Sequence, residues 1–198
     1  MPKKALRSEL LIRRRTMSNT DWHDSSAAAQ QRLIALQLFQ QASCIALYAP
    51  IQHEVDTVQI FHAARSAGKG VLYPIVCGTD LRFIEISDSS QLNPGSFKIP
   101  EPCSLTDERS LETADLIVIP GVAFDLQGHR IGFGKGFYDR CLSSLMNPGH
   151  LVGLCHDFQL FEQIPAERHD IRMQYVVTEN RLIIPTQERQ AGTGFTSD

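Results

Sequence analysis

Residues 116–140 read LIVIPGVAFDLQGHRIGFGKGFYDR, and the order of their parts decides the fold. Leu116, Ile117, Val118 and Ile119 are apolar without alternation, the pattern of a strand buried on both faces. With Asp115 and Pro120 they form the most apolar strand of the chain, expected at the centre of a sheet. Gly128, Gly132, Gly134 and Gly136 follow in a glycine loop. Residues 137–146 then read as a short helix. A buried strand, a glycine loop and a helix in that order make one unit of an α/β fold with a parallel sheet.

The flanking sequence repeats the alternation. Residues 3–17 read as a helix with Leu6, Leu10 and Leu11 on one side. Thr20 or Asp21 is expected to cap a second helix running to about Gln41. Residues 43–49 and 70–76 are short apolar runs, each expected as a buried strand. Between them Asp56 is expected to cap a helix that carries Val58, Ile60, Phe61 and Ala64 and ends at Gly68. Residues 81–86 alternate as a half-exposed strand does. Residues 93–106 hold Pro94, Gly95, Pro100 and Pro102 and are expected to be loop-rich. Residues 151–155 form another buried strand, and 175–178 with 182–184 close the sheet. The expectation is one α/β domain over residues 1–185, a mainly parallel open sheet with helices on both faces. Residues 186–198 are a polar tail, expected to be disordered.

Composition narrows the function classes. The 198 residues carry 19 Lys and Arg against 22 Asp and Glu, a formal charge of −3. A dedicated nucleic-acid binder is usually strongly basic, so none is expected. The five cysteines, Cys44, Cys77, Cys103, Cys141 and Cys155, are odd in number and hold no C-x-x-C pair. A disulfide framework and a zinc site are not expected, and a reducing cytoplasm fits. No apolar run reaches the roughly 18 residues of a membrane span. The basic N-terminus has no apolar core, so it is not a secretory signal; Glu9 and the scarcity of Ser speak against a transit peptide. His53, His129, His156 and His169 read as loop or strand-end residues. The chain is expected to be a monomer.

The glycine loop carries the chemistry. Glycines let backbone N–H groups converge, and the following helix adds free donors and a positive dipole end. Arg130 and Lys135 add full charges, which together favour a phosphate-rich ligand. The loop is not a Walker A motif, because Gly136 follows Lys135 where a hydroxyl is needed. It is not a dinucleotide fingerprint either, since its spacing is G-x-G-x-G. A tight turn with a solvated lysine is the bland alternative. Asp139 in the first helical turn would repel a phosphate unless Mg²⁺ bridges them, and Mg²⁺ typically takes one or two carboxylates beside phosphate oxygens. Its bland alternative is a carboxylate stabilising the helix N-terminus.

The pattern R-x-G-x-G-K-G-[YF]-Y-D after a strand ending in P-G-x-x-F-D resembles the 5-formyltetrahydrofolate cyclo-ligase family. Here it runs from Pro120 to Asp125 and from Arg130 to Asp139. KKALR from Lys3, YAPIQHEVDT from Tyr48 and PAERHDIRMQYVVTE from Pro165 resemble three further family segments. The resemblance implies the sugar-isomerase and coenzyme A transferase-like (NagB/RpiA/CoA transferase-like) fold. It implies conversion of 5-formyltetrahydrofolate to 5,10-methenyltetrahydrofolate with ATP and Mg²⁺, through a phosphorylated formyl group. It implies that Lys3, Lys4, Ala5, Leu6 and Arg7 reach ATP together with Arg130, Ile131, Gly132, Phe133, Gly134, Lys135, Gly136, Phe137 and Tyr138. Arg130, Lys135 and Tyr138 would be catalytic, and Asp139 and Asp170 would serve Mg²⁺. Glu54, Ala49, Pro50 and Tyr138 would contact the folate, and Phe124 reads as core.

Without the resemblance, six basic residues among the first fifteen read as a solvated face. Glu54 reads as a turn acid, and Asp170 as paired with Arg168 or Arg172. Gln174 stands where a second acid is expected after Asp170, Phe133 where a polar or small residue is common, and Phe137 where Tyr is frequent. Two rival readings share the pattern. One is an isomerase or transferase of a phosphorylated metabolite; the other is a non-catalytic nucleotide-binding module.

Overall fold

The computed structural model describes residues 2–96, 99–167 and 170–186. The polar tail, Thr186 apart, and Arg168 and His169 lie outside the described residues. The helices are α1 (Lys3–Arg15), α2 (Asn19–Ile34), α3 (Gln37–Gln41), α4 (Val58–Ser66) and α5 (Phe137–Ser143). The strands are β1 (Cys44–Ala46), β2 (Gly70–Cys77), β3 (Asp80–Glu85), β4 (Leu92–Pro94), β5 (Pro100–Pro102), β6 (Glu108–Arg109) and β7 (Leu116–Ile119). They continue with β8 (Ala123–Asp125), β9 (Arg130–Ile131), β10 (His150–Leu154), β11 (Leu160–Phe161), β12 (Tyr175–Val177) and β13 (Leu182–Ile183).

An eight-stranded sheet runs in the order β13-β12-β10-β7-β1-β2-β3-β6. β12, β10, β7, β1 and β2 are parallel, and β13, β3 and β6 add antiparallel edges. β7 is central because it is apolar on both sides. Leu116 and Val118 face a core with α2, α3 and α4, whereas Ile117 and Ile119 face a second core with Leu142 of α5 and Phe124. Helices therefore occupy both faces unequally, since α5 is short and a second sheet, β11-β8-β9, completes its side. α1 lays Leu6 and Leu10 on that small sheet, against Val122, Ala123 and Ile131.

Three local expectations need correction. The second helix does not reach Gln41 unbroken: Leu36 is extended at φ −70° and ψ 143°. The break lets Leu33 and Phe39 enter one core, and Gln40 Nε2 donates to the freed Ile34 carbonyl at 2.7 Å. Ser18, rather than Thr20 or Asp21, caps α2 by accepting from Asp21 N at 3.0 Å. Residues 93–106 hold a hairpin, β4 with β5, whose prolines sit in a two-stranded sheet.

The cap of α4 is shared. Thr57 is the boundary residue, but Asp56 Oδ1 accepts from Thr57 N and Val58 N at 2.7 and 3.1 Å. Gly68, at φ +73°, ends α4, with Gly68 N donating to Arg65 O and Lys69 N to Ala64 O.

Candidate active site

A cavity of about 410 Å³ opens at the carboxyl ends of the parallel strands, where β1 runs out at Tyr48 and Ala49 and β7 at Pro120. Its phosphate-competent wall is residues 130–139. Gly134 and Gly136 have φ +92° and +68°, a left-handed conformation that strains other residues, and Gly136 is the N-cap of α5. Arg130 lies on β9, just before the loop. It donates to Pro120 O at 3.3 Å and to Asp139 Oδ1 at 2.6 Å, and its guanidinium stands over Tyr138. Its Nε is buried without a hydrogen-bond partner among the described residues. Lys135 is exposed on the cavity rim.

α1 roofs this wall. Arg7 Nε donates to Gly132 O at 2.8 Å. Lys3 Nζ donates to Asp170 Oδ2 and Glu167 Oε1, each at 2.9 Å. Both line the cavity, as do Asp139 and Asp170. Lys4 and Ala5 are exposed and away from the lining, and Leu6 is buried in the α1 core. Helical geometry explains this split, because Lys3 and Arg7 share a face that the intervening residues do not. Ile131, Gly132, Phe133, Phe137, Tyr138, Ala49 and Glu54 also line the cavity; Pro50 does not. Gln174 sits at the opposite end of the sheet, where its Oε1 accepts from Leu151 N at 3.2 Å.

The opposite wall holds Glu54, only 4% exposed. Its Oε2 accepts from Ile51 N at 3.0 Å, and its Oε1 lies 3.6 Å from Arg14 NH1 with no hydrogen-bond donor among the described residues. Burial pushes the Glu54 carboxyl up to about 7, against the opposing pull of Arg14 and the Ile51 amide. Burial, then the nearby Glu54 charge, also raises the Tyr138 phenol.

The turn before Glu54 is strained. Gln52 and His53 have φ +49° and +56° although neither is glycine. Neighbouring elements hold it in place. Arg14 Nε donates to Gln52 O at 2.8 Å, and Trp22 Nε1 donates to Glu54 O at 2.7 Å. His156 Nε2 meets His53 O at 3.0 Å, and Trp22 stacks on the His53 ring at 5.2 Å.

Sequence reasoning misses Arg14, Trp22 and Glu101 as parts of this site, and it places His156 at a strand end without its burial. Arg14 is 1% exposed, not part of a solvated face. Its signal is the spacing Lys3, Arg7, Leu10, Arg14, a single helical stripe. His156 is fully buried, and burial lowers its imidazole to about 4.

Both carboxylates expected to serve Mg²⁺ border the cavity, and Asp139 keeps 42% of its side chain exposed beside its contact to Arg130. Two carboxylates at the mouth of a phosphate-competent loop fit an ion that takes its remaining ligands from phosphate and water.

Known proteins match this architecture over nearly its whole length. The family model described as the 5-formyltetrahydrofolate cyclo-ligase family matches residues 1–179. The Escherichia coli K12 protein named 5-formyltetrahydrofolate cyclo-ligase is 31% identical over 175 residues, covering 86% of this chain and 96% of that protein. The protein of the same name from Mycolicibacterium smegmatis is 30% identical, covering 92% of this chain and 96% of its own length. The NMR structure of Aquifex aeolicus 5,10-methenyltetrahydrofolate synthetase superposes with a TM-score of 0.83 at 33% identity, covering 98% of this chain and all of that one. With the match taking in α1, the glycine loop and the Glu54 turn alike, the chain belongs to the 5-formyltetrahydrofolate cyclo-ligase family.

Proposed function

We propose that this cavity cyclises 5-formyltetrahydrofolate to 5,10-methenyltetrahydrofolate, with ATP converted to ADP and phosphate. The observation that carries the reading is one cavity with two unlike walls. A glycine loop with Arg130, Lys135, Lys3 and Arg7 suits polyphosphate; a buried carboxylate, Glu54, suits the N–H donors of a reduced pterin.

The formyl oxygen takes the γ-phosphoryl group, N10 of the folate then attacks the formyl carbon, and phosphate leaves as the C–N bond closes. Such chemistry asks mainly for alignment and charge neutralisation. Lys135 and Arg130 neutralise the transferring phosphoryl group, and the loop amides hold its oxygens. Arg7, fixed on Gly132 O, keeps α1 over the nucleotide. Tyr138, between the two walls, packs on the folate or reaches a phosphate. Asp139 and Asp170 would hold Mg²⁺, which would supply positive charge to neutralise the phosphates. All five cysteines are free, in keeping with a cytoplasmic enzyme. The parallel centre of the sheet supports placing the fold with the NagB/RpiA/CoA transferase-like group.

The test is spectroscopic. With 5-formyltetrahydrofolate, ATP and Mg²⁺, the near-ultraviolet absorbance of the methenyl product should grow, and omission of ATP or Mg²⁺ should abolish it. No growth with all components present overturns the reading.

A further inference from the structure

A second buried carboxylate borders the same cavity from an element that the glycine loop and the Glu54 turn leave untouched. Glu101, on β5, is 6% exposed and lines the cavity. Its Oε1 is buried and has no hydrogen-bond donor among the described residues. A polar group left in that state is costly, and its position on the cavity lets a bound ligand satisfy it.

The surroundings hold Glu101 in position. Pro100 and Pro102 flank it and fix the backbone on both sides. The chain also leaves room for the carboxylate: a Cβ on Gly95 would run into Glu101 Oε2. Glu54 is already engaged, with Ile51 N on one oxygen and Arg14 beside the other. Among the described residues no cation is paired with Glu101, so there it is the freer acceptor.

We infer that Glu101 is the specificity-determining acceptor for the donor edge of the folate head group. The ring N–H and the neighbouring exocyclic amine of a 2-amino-4-oxopyrimidine present two donors side by side, which a carboxylate accepts as a pair. Glu54 is left for donors elsewhere on the reduced ring. This inference rests on the cyclo-ligase reading of the same cavity.

The experiment compares Glu101→Gln and Glu101→Ala with wild type in the absorbance assay. Two substrates are used: 5-formyltetrahydrofolate and an analogue with methyl in place of the 2-amino group. Both variants should raise the folate KM roughly 10- to 100-fold, the range of a lost hydrogen bond to a charged group, with the ATP KM within about twofold. Wild type should discriminate against the analogue, and Glu101→Ala should lose most of that discrimination. Glu101→Gln nearly preserves shape and decides the folate KM if the alanine variant does not fold. An unchanged folate KM overturns the inference, as does analogue discrimination that survives the substitution. A parallel rise in both KM values would mark a structural role and overturn it too. No turnover by the wild type would instead bring down the cyclo-ligase reading and this inference with it.

Discussion

Glu54 is held at the balance between burial and a buried cation, and that balance is testable by pH. Its carboxyl sits at about 7 in the folded chain against an ordinary 4.5. The folded state therefore keeps the proton longer than the unfolded chain does. The resulting stability is present below about 4.5 and is lost as pH rises through about 7, amounting to about 3 kcal/mol. Glu54→Gln should flatten that part of the pH dependence in urea melts between pH 5 and 8; parallel curves for variant and wild type would sink the assignment. Arg14→Met removes the cation that restrains Glu54. It should cost about 3–5 kcal/mol at pH 8, the toll of orphaning a buried partner, and move the Glu54 inflection above about 7. Lys135 poses a simpler question, because its position on the rim points to phosphate charge. Lys135→Ala should lower kcat/KM for ATP roughly 100-fold with the thermal midpoint unchanged, and unaltered ATP kinetics would rule the role out.

At the scale of elements, the glycine loop works through backbone conformation. Gly134 at φ +92° faces the Arg7 guanidinium, and a Cβ there would stand 3.4 Å from it. Gly134→Ala should cost about 1–2 kcal/mol of stability through left-handed strain, and relief of that strain should shift the loop that carries Gly132 O, the acceptor of Arg7. The ATP KM should rise well beyond any change in the folate KM, and equal changes in both would show that the loop does not face the nucleotide. This loop was legible in the sequence because glycine spacing and a buried strand are local signals. The same holds for β7, for the Gly68 end of α4 and for the Lys3–Arg7 face. What stayed hidden was set by distant contacts. No Gly or Pro marks the break at Leu36, which exists so that Leu33 and Phe39 reach one core. Pro100 and Pro102 read as loop, yet they frame Glu101 on a strand. Arg14 looked solvated because its partners, Gln52 O and Gly121 O, lie 38 and 107 residues away. Helical spacing had nonetheless put Arg14 in line with Lys3 and Arg7.

Over the whole molecule, the site joins a well-anchored sheet to a more weakly anchored roof. The parallel strands bury both faces in two large cores, whereas α1 rests Leu6 and Leu10 on a third, smaller cluster formed by the small sheet and Ile164. Its other ties include Lys3 to Glu167 and Asp170, Arg7 to Gly132 O, Arg14 to Gln52 O and Gly121 O, and the Arg13 guanidinium over the Phe158 ring. An element with few buried apolar contacts opens at lower free energy than the core strands. Amides of α1 should therefore exchange hydrogen faster than those of β7 and β10 in the free chain. If α1 covers the nucleotide, ATP with Mg²⁺ binds only the closed form, so at about 100 times its Kd it should raise α1 protection by about 2.7 kcal/mol. Lys3→Ala with Arg7→Ala should reduce that gain while leaving β7 and β10 as protected as before. Hydrogen exchange read by mass spectrometry measures all three. Protection spread evenly over the sheet, or none in α1, would mean that the helix is a fixed wall and that the nucleotide is held by the glycine loop alone.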